Sequence, residues 1–121
     1  MKMLTNHSIP GRHGRPIVLD LQFNETGRAK PLVIFAHGYK GFKDWGMFGA
    51  MPWEFVNAGF AFMKFNFSHN GGTATEPVDF PDLEAFGNNN YSIELDDLGA
   101  VLDWVGAEEY FHAEIDRERI G

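Results

Sequence analysis

The 121-residue chain contains no cysteine. Disulfides and thiolate metal sites are thereby excluded, and the absence fits a cytoplasmic protein. No stretch approaches the ~18 consecutive apolar residues of a membrane span. Met1 to Arg15 holds no apolar run of the kind a signal peptide carries, so no membrane partner is expected. Basic charge is scarce and scattered: Lys and Arg total 10 against 17 Asp and Glu, giving a net charge of −7. Without a basic stripe, nucleic acid is not an expected partner. Gly38, Gly41, Gly46 and Gly49 do not spell G-x-G-x-x-G, and no G-x-x-x-x-G-K-[ST] occurs, so no nucleotide or other cofactor is expected. Asp79, Asp82, Glu84, His69 and His112 lack the short regular spacing of a Zn or Ca²⁺ site and read as solvated charges, so no metal is expected either. Internal repeats and low-complexity tracts are missing.

Apolar and aromatic residues are plentiful: 44% of the chain is hydrophobic, with 12 Phe and 3 Trp. Each buried aromatic ring removes about 150–250 Å² from water. A domain this small has trouble covering so many, so part of that surface is either core or faces something outside the chain.

The periodicities predict an α/β protein. Lys2 to Ile9 reads as a weak strand ending in the turn residues 10–14. Ile17 to Phe23 alternates apolar and other residues, the pattern of a strand with one buried and one wet face near a sheet edge. Pro31 to Ala36 and Phe60 to Phe67 are continuous apolar runs, as in parallel strands covered on both faces. Phe48 to Ala58 predicts a helix between them, with Pro52 in its first turn and Gly59 at its C-cap. Strand, helix and strand make a βαβ unit with an expected right-handed crossover. Residues 68–90 form a long connection. Tyr91 to Gly106 is the clearest helix, capped by Asn90, with Leu95, Leu98, Leu102 and Val105 on the expected buried face and Gly99 permitting close approach to a sheet. Ile120-Gly121 looks like the opening of another strand.

The segment Leu32-Val33-Ile34-Phe35-Ala36-His37-Gly38-Tyr39-Lys40-Gly41-Phe42 resembles the strand-to-HG-loop motif of the α/β-hydrolases, best in their dienelactone-hydrolase, prolyl-peptidase and small-esterase branch. The element order along nearly the whole chain agrees. The resemblance implies a partial α/β-hydrolase fold: residues 1–121 as the N-terminal half of one domain, a mostly parallel sheet with an antiparallel opening hairpin, ending before the nucleophile-elbow strand. It implies part of a serine hydrolase acting on an ester, thioester or peptide-like bond. No G-x-S-x-G elbow is present. Ser8, Ser68 and Ser92 lack the flanking glycines, so the three triad positions are missing and the chain alone is expected to be inactive.

The same resemblance places one oxyanion-hole donor at the backbone N–H of Tyr39, with Gly38 giving the loop its path and His37 supporting it. A preorganised donor of this kind stabilises a transition state by about 2.7–4 kcal/mol. Phe42, Trp45, Met47 and Phe48 could line an acyl pocket or simply pack in the core. Pro77 to Asn90 could be a lid over the site or a disordered loop. Ser68-His69 looks like a nucleophile and base, but neighbours on a strand point to opposite faces and are not expected to meet. With strand order 1-2-4-3-5 implied, residues 32–36 would lie at an edge, to be covered by a missing C-terminal half or another chain. The competing readings are a non-catalytic, truncated hydrolase-like interaction domain and a flavodoxin-like ligand-binding domain.

Overall fold

A computed structural model describes residues 1–121 except Tyr110 and His112. Its frame is a mixed sheet of five strands in the order β1-β2-β4-β3-β5: β1 Lys2–Pro10, β2 Pro16–Phe23, β3 Lys30–Ala36, β4 Ala61–Asn66 and β5 Ile115–Ile120. β1 and β2 form an antiparallel hairpin, β2 runs antiparallel to β4, and β3 is parallel to both β4 and β5. The antiparallel opening sets the chain apart from flavodoxin-like sheets, which are wound from parallel strands. A 3-10 turn at Gly46–Gly49 and helix α1, Met51–Asn57, join β3 to β4, while α2, Leu83–Asn88, and α3, Tyr91–Ala107, lie between β4 and β5.

Local chemistry sets these boundaries. Pro52 sits in the first turn of α1, where its missing N–H costs nothing. Gly59, at φ +96°, ends the helix in the left-handed region. Asn90 caps α3 by accepting the Ile93 N–H, and Asp82 caps α2 by accepting the Ala85 N–H.

The two sheet faces differ. One carries Ile17, Leu19, Leu21 and Phe23 of β2 with Ala61, Met63 and Phe65 of β4, and packs on Val101 and Val105 of α3, Phe111 and Ile115. The other meets α1, where Phe55 stacks on Phe62 at 4.9 Å. At the centre of this second face, Asp20 of β2 lies directly opposite Lys64 of β4.

Several elements depart from the sequence expectations. β2 has no wet face: from Ile17 to Phe23 every residue is buried, because β2 lies between β1 and β4 and its Asp20 is paired with buried lysines. β3 is less covered than its apolar run predicts, with only Lys30 and Leu32 buried. The fifth strand starts at Ile115, not Ile120. It pairs with β3 at Lys30 to Leu32, and the Ile34 N–H reaches the Gly121 carbonyl. The 32–36 edge is therefore largely taken within the chain. The sheet's two outer edges are β1 and the far side of β5. α3 is rotated from the expected face: its buried residues are Asp97, Val101 and Val105, whereas Leu95 is 69% and Leu102 41% exposed. Asp97 turns inward because its carboxylate binds Ser68. Gly99 makes room for Arg12 rather than the sheet. A Cβ there would lie 3.1 Å from the guanidinium, which reaches across to Asp103 at 2.8 Å.

Glu114, just ahead of β5, closes the lower end of the sheet. Its carboxylate accepts the Thr26 and Gly27 N–H groups and pairs with Lys30. The Lys30 ammonium and the two backbone donors push its pKa down to about 2 from the ordinary 4.5. A carboxylate depressed on folding adds stability above its unfolded pKa, and that stability is lost as pH falls from about 4.5 through about 2. Glu114→Gln is expected to lower the melting temperature at neutral pH and to flatten its fall over this acid window, as followed by circular dichroism. An unchanged acid profile would contradict the assignment.

Candidate functional site

β3 connects to β4 and β4 to β5, so the chain steps in opposite directions on the two sides of β3. In open α/β sheets ligands bind in the crevice this creates beyond the strand C-termini. A cavity of about 760 Å³ lies there. Its walls come from His37 to Lys40 after β3, Phe67 and Asn70 after β4, Phe86, Gly87 and Asn89 around the end of α2, and Asn90, Tyr91 and Glu94 at the start of α3.

His37 fixes the near wall. Its Nε2 accepts the Phe67 N–H at 3.2 Å, so the ring hydrogen sits on Nδ1, which donates to the Gly38 carbonyl at 2.8 Å. The imidazole also packs edge-on against Phe67. Burial pulls its pKa below the usual histidine value, with the Gly38 contact and the Glu94 charge acting against it. Both ring nitrogens are committed to backbone partners, so His37 is placed to hold the loop and not to move protons.

Beyond it, Gly38 to Gly41 form a tight turn closed by the Gly41 N–H on the Gly38 carbonyl at 2.9 Å. Lys40 takes the third position with φ +61°, a conformation that usually calls for glycine or asparagine. Among the described residues, nothing accepts the Tyr39 N–H, and Tyr39 itself is 83% exposed. The turn depends on glycine at Gly41, where a Cβ would lie 2.8 Å from the Gly38 carbonyl oxygen and 3.2 Å from the His37 ring. Gly38, expected to give the loop its path, has no positive φ, and a Cβ there would meet open space.

The expected apolar pocket is elsewhere. Phe48 packs on Phe35 at 4.5 Å and on Trp45 at 5.7 Å, and Phe42 meets Phe80 edge-on. Neither they nor Met47 line the cavity beside Tyr39. That lining is Phe67, Phe86 and Tyr91, with Phe86 stacked on Tyr39 at 6.0 Å. Sequence reasoning missed them because they come from three segments brought together only by the sheet. The 77–90 connection contains α2 and forms a wall of the cavity. It is tied down by the Asp82 N–H on the Gly71 carbonyl and by the Arg15–Asp82 pair.

Ser68 and His69 do meet, against the strand-based expectation. β4 ends at Asn66, and the two residues lie in a turn closed by the Asn70 N–H on the Phe67 carbonyl. Ser68 Oγ is 2.7 Å from His69 Nδ1 and donates to Asp97 Oδ1 at 2.9 Å. The serine's one hydrogen goes to the carboxylate, so His69 is the donor in its contact with Ser68. A catalytic triad has the reverse polarity. Burial raises the Asp97 pKa against the two Ser68 bonds, and burial followed by Arg15 lowers that of His69. The cluster is buried and clamps α3 to the end of β4. Of the other acidic and histidine candidates, Asp82 is held by Arg15 and His112 lies outside the described residues. Among the described residues, no three His, Asp or Glu side chains are grouped to hold a metal. Among them too, no helix is long and apolar enough to cross a membrane.

A feature without a sequence signal is a lattice of four charges, of which Asp20, Lys43 and Lys64 are buried and Asp44 is partly exposed. Lys43 Nζ lies 3.0 Å from Asp20 and 2.7 Å from Asp44; Lys64 Nζ lies 3.0 Å from Asp44 and 3.7 Å from Asp20. Lys43 also donates to Asn6 Oδ1 at 2.6 Å, and its backbone N–H to Asn66 Oδ1 at 2.7 Å. Lysine is almost never fully buried unless paired, and here two are. The lattice holds the Asp44 pKa below its ordinary value against the opposing effect of burial.

No protein-family model and no curated protein matches the chain. Solved structures do. A hypothetical protein from Pseudomonas aeruginosa aligns with TM-score 0.66 and 20% identity over 99% of this chain and 33% of that one. An acetyl xylan esterase from Paenibacillus sp. R4 aligns with TM-score 0.65 and 19% identity over 93% and 38%. A Klebsiella pneumoniae protein assigned as a dienelactone hydrolase aligns with TM-score 0.63 and 17% identity over 99% and 48%. The chain thus spans about a third to a half of the length of these structures. At such identities the likeness is one of fold, and it is shared with esterase and hydrolase structures.

His37→Ala is expected to destabilise the chain by about 1–3 kcal/mol, the cost of leaving the buried Phe67 N–H unpaired. Urea denaturation at neutral pH measures it. Because burial depresses the His37 pKa, the wild-type chain loses stability as pH falls below the unfolded value of 6.5, and the variant loses less. A histidine ring that titrates normally by NMR would refute the buried tautomer.

Proposed function

Taking the α/β-hydrolase fold as premise, we propose that the chain is the N-terminal part of a serine hydrolase acting on an ester, thioester or peptide-like bond. Tyr39 contributes one oxyanion-hole N–H, and residues beyond Gly121 contribute nucleophile, acid and base. The observation that carries this reading is the unpaired Tyr39 amide, in a strained and pinned turn at the C-terminal end of a parallel strand, on the wall of a cavity. Acyl transfer needs such a donor where negative charge develops on the carbonyl oxygen. In this fold the second donor follows a nucleophile at the end of the adjacent strand, and β5 is that neighbour of β3. The esterase and dienelactone hydrolase names of the structural neighbours support the same class of chemistry.

The substrate is a small ester or peptide-like molecule held among Tyr39, Phe67, Phe86 and Tyr91. The open edge of β5 and the exposed Leu95 and Leu102 of α3 are the surfaces that further chain, or a second polypeptide, would cover. The lack of cysteine supports a cytoplasmic location. A non-catalytic interaction domain is the alternative for the 121 residues by themselves, favoured by their lack of any serine in an elbow.

A fluorophosphonate probe, applied to the full product of the encoding gene and to the 121-residue chain, tests the proposal. Labelling of the full product at a G-x-S-x-G serine beyond Gly121, with none on the shorter chain, is the expected result. A coding sequence without such an elbow, or label on Ser8, Ser68 or Ser92, overturns it.

A further inference from the structure

We infer that Asp44, acting through the charge lattice, is a positioning residue for the Tyr39 turn; the functional meaning of this rests on the hydrolase reading above. The turn has two anchors. On the near side, His37 is bonded to Phe67 and Gly38. On the far side, Lys43 is bonded through its backbone N–H to Asn66 and through its ammonium to Asp20, Asp44 and Asn6. Only residues 38–42 span the gap, and they include the left-handed Lys40, which no local preference stabilises. A strained residue persists only when its surroundings over-determine it. The far anchor supplies that determination.

The lattice is built for this. Asp20 and Lys64 are cross-strand partners on β2 and β4, the most buried part of the sheet, and form a fixed base. Lys43 and Asp44 come down on them from the loop with the opposite charge order, so each lysine touches both aspartates. Adjacent residues of one loop are thereby read by adjacent strands, and shifting the loop along its own path would set like charges together. Asp44 is the loop member that binds Lys64 of β4 as well as its neighbour Lys43, while retaining some solvent contact, with 28% of its side chain exposed. The same loop is bound a second time by the Lys64 ammonium on the Phe48 carbonyl at 3.2 Å. None of these groups reaches the cavity, so the lattice acts on the site only through the backbone of residues 38–42.

Amide hydrogen exchange on the 121-residue chain tests the inference in Asp44→Asn, Asp44→Glu and the unchanged chain. The reporter is the Gly41 N–H, which closes the turn on Gly38. Met63 and Leu21, in the buried strands, report global opening. In Asp44→Asn, Gly41 is expected to exchange about tenfold faster, the scale of one lost charged hydrogen bond. Met63 and Leu21 change by much less, and the Tyr39 amide resonance moves. Asp44→Glu is expected to recover most of the protection. Equal acceleration at Gly41 and Met63 would reduce the lattice to a general stabiliser, and no change at Gly41, or no recovery with glutamate, would overturn the inference. These readouts need no turnover, so they stand or fall separately from the fluorophosphonate result.

Discussion

The backbone beyond β3 is bent and held at both ends, and among the described residues nothing accepts the Tyr39 amide within that bend. That constraint organises the upper end of the molecule. An exposed N–H is cheap in water, but a persistent tight turn with a left-handed lysine is not, and loops without anchors relax. Here the anchors are an uncharged histidine and a neutral set of four charges, three of them buried. The histidine works because burial keeps it uncharged, so Nε2 can accept the Phe67 amide. The charges work because they alternate. Each lysine touches both aspartates, so no ion of the set depends on a single partner. The result is a donor fixed from one side by a histidine of the cavity wall and from the other by charges that do not touch the cavity.

The two faces of the sheet divide the labour. The α3 face is an apolar core, and a deep polar cluster, Ser68, His69 and Asp97, joins the end of β4 to the helix. The α1 face is polar at its centre and aromatic around it, with Phe48 on Phe35 and Phe55 on Phe62. Ser68, His69 and Asp97 contain the residue types of a hydrolytic triad in one buried cluster. The direction of the hydrogen bonds decides the matter: a serine that gives its proton straight to a buried carboxylate is a clamp. At the opposite end of the sheet, Glu114 ties the β2–β3 connection to the start of β5, so strand pairing on both sides of β3 rests on charged groups as well as on the apolar core.

The βαβ unit, the caps at Asn90 and Gly59 and the position of the HG turn were legible because each rests on a local signal, while the strand order followed from the family resemblance. Apolar runs, a proline in the first turn, and glycine or asparagine at a helix end act within a few residues. What failed was what depends on neighbours. β2 reads as half-wet because Asp20 and Gln22 are polar, and nothing local reveals that Lys43, far along the chain, neutralises Asp20. α3 reads with Leu95 and Leu102 inward because leucine is apolar, whereas Asp97 takes the inner face through Ser68. β5 was hidden in Ile115–Ile120, where alternating charges mask an edge strand. In the site, Tyr39 and His37 could be placed from the motif. The cavity walls Phe67, Phe86 and Tyr91 could not, since they converge only after folding.

The central claim is that the Tyr39 amide is one half of an oxyanion hole. Its most direct test is a crystal structure of the full gene product carrying a covalent phosphonate on its nucleophile. The account predicts a phosphoryl oxygen about 2.7–3.1 Å from the Tyr39 nitrogen, with His37 and the four-charge lattice unchanged. A phosphoryl oxygen facing other donors, or a Tyr39 N–H bonded to the protein, would contradict it.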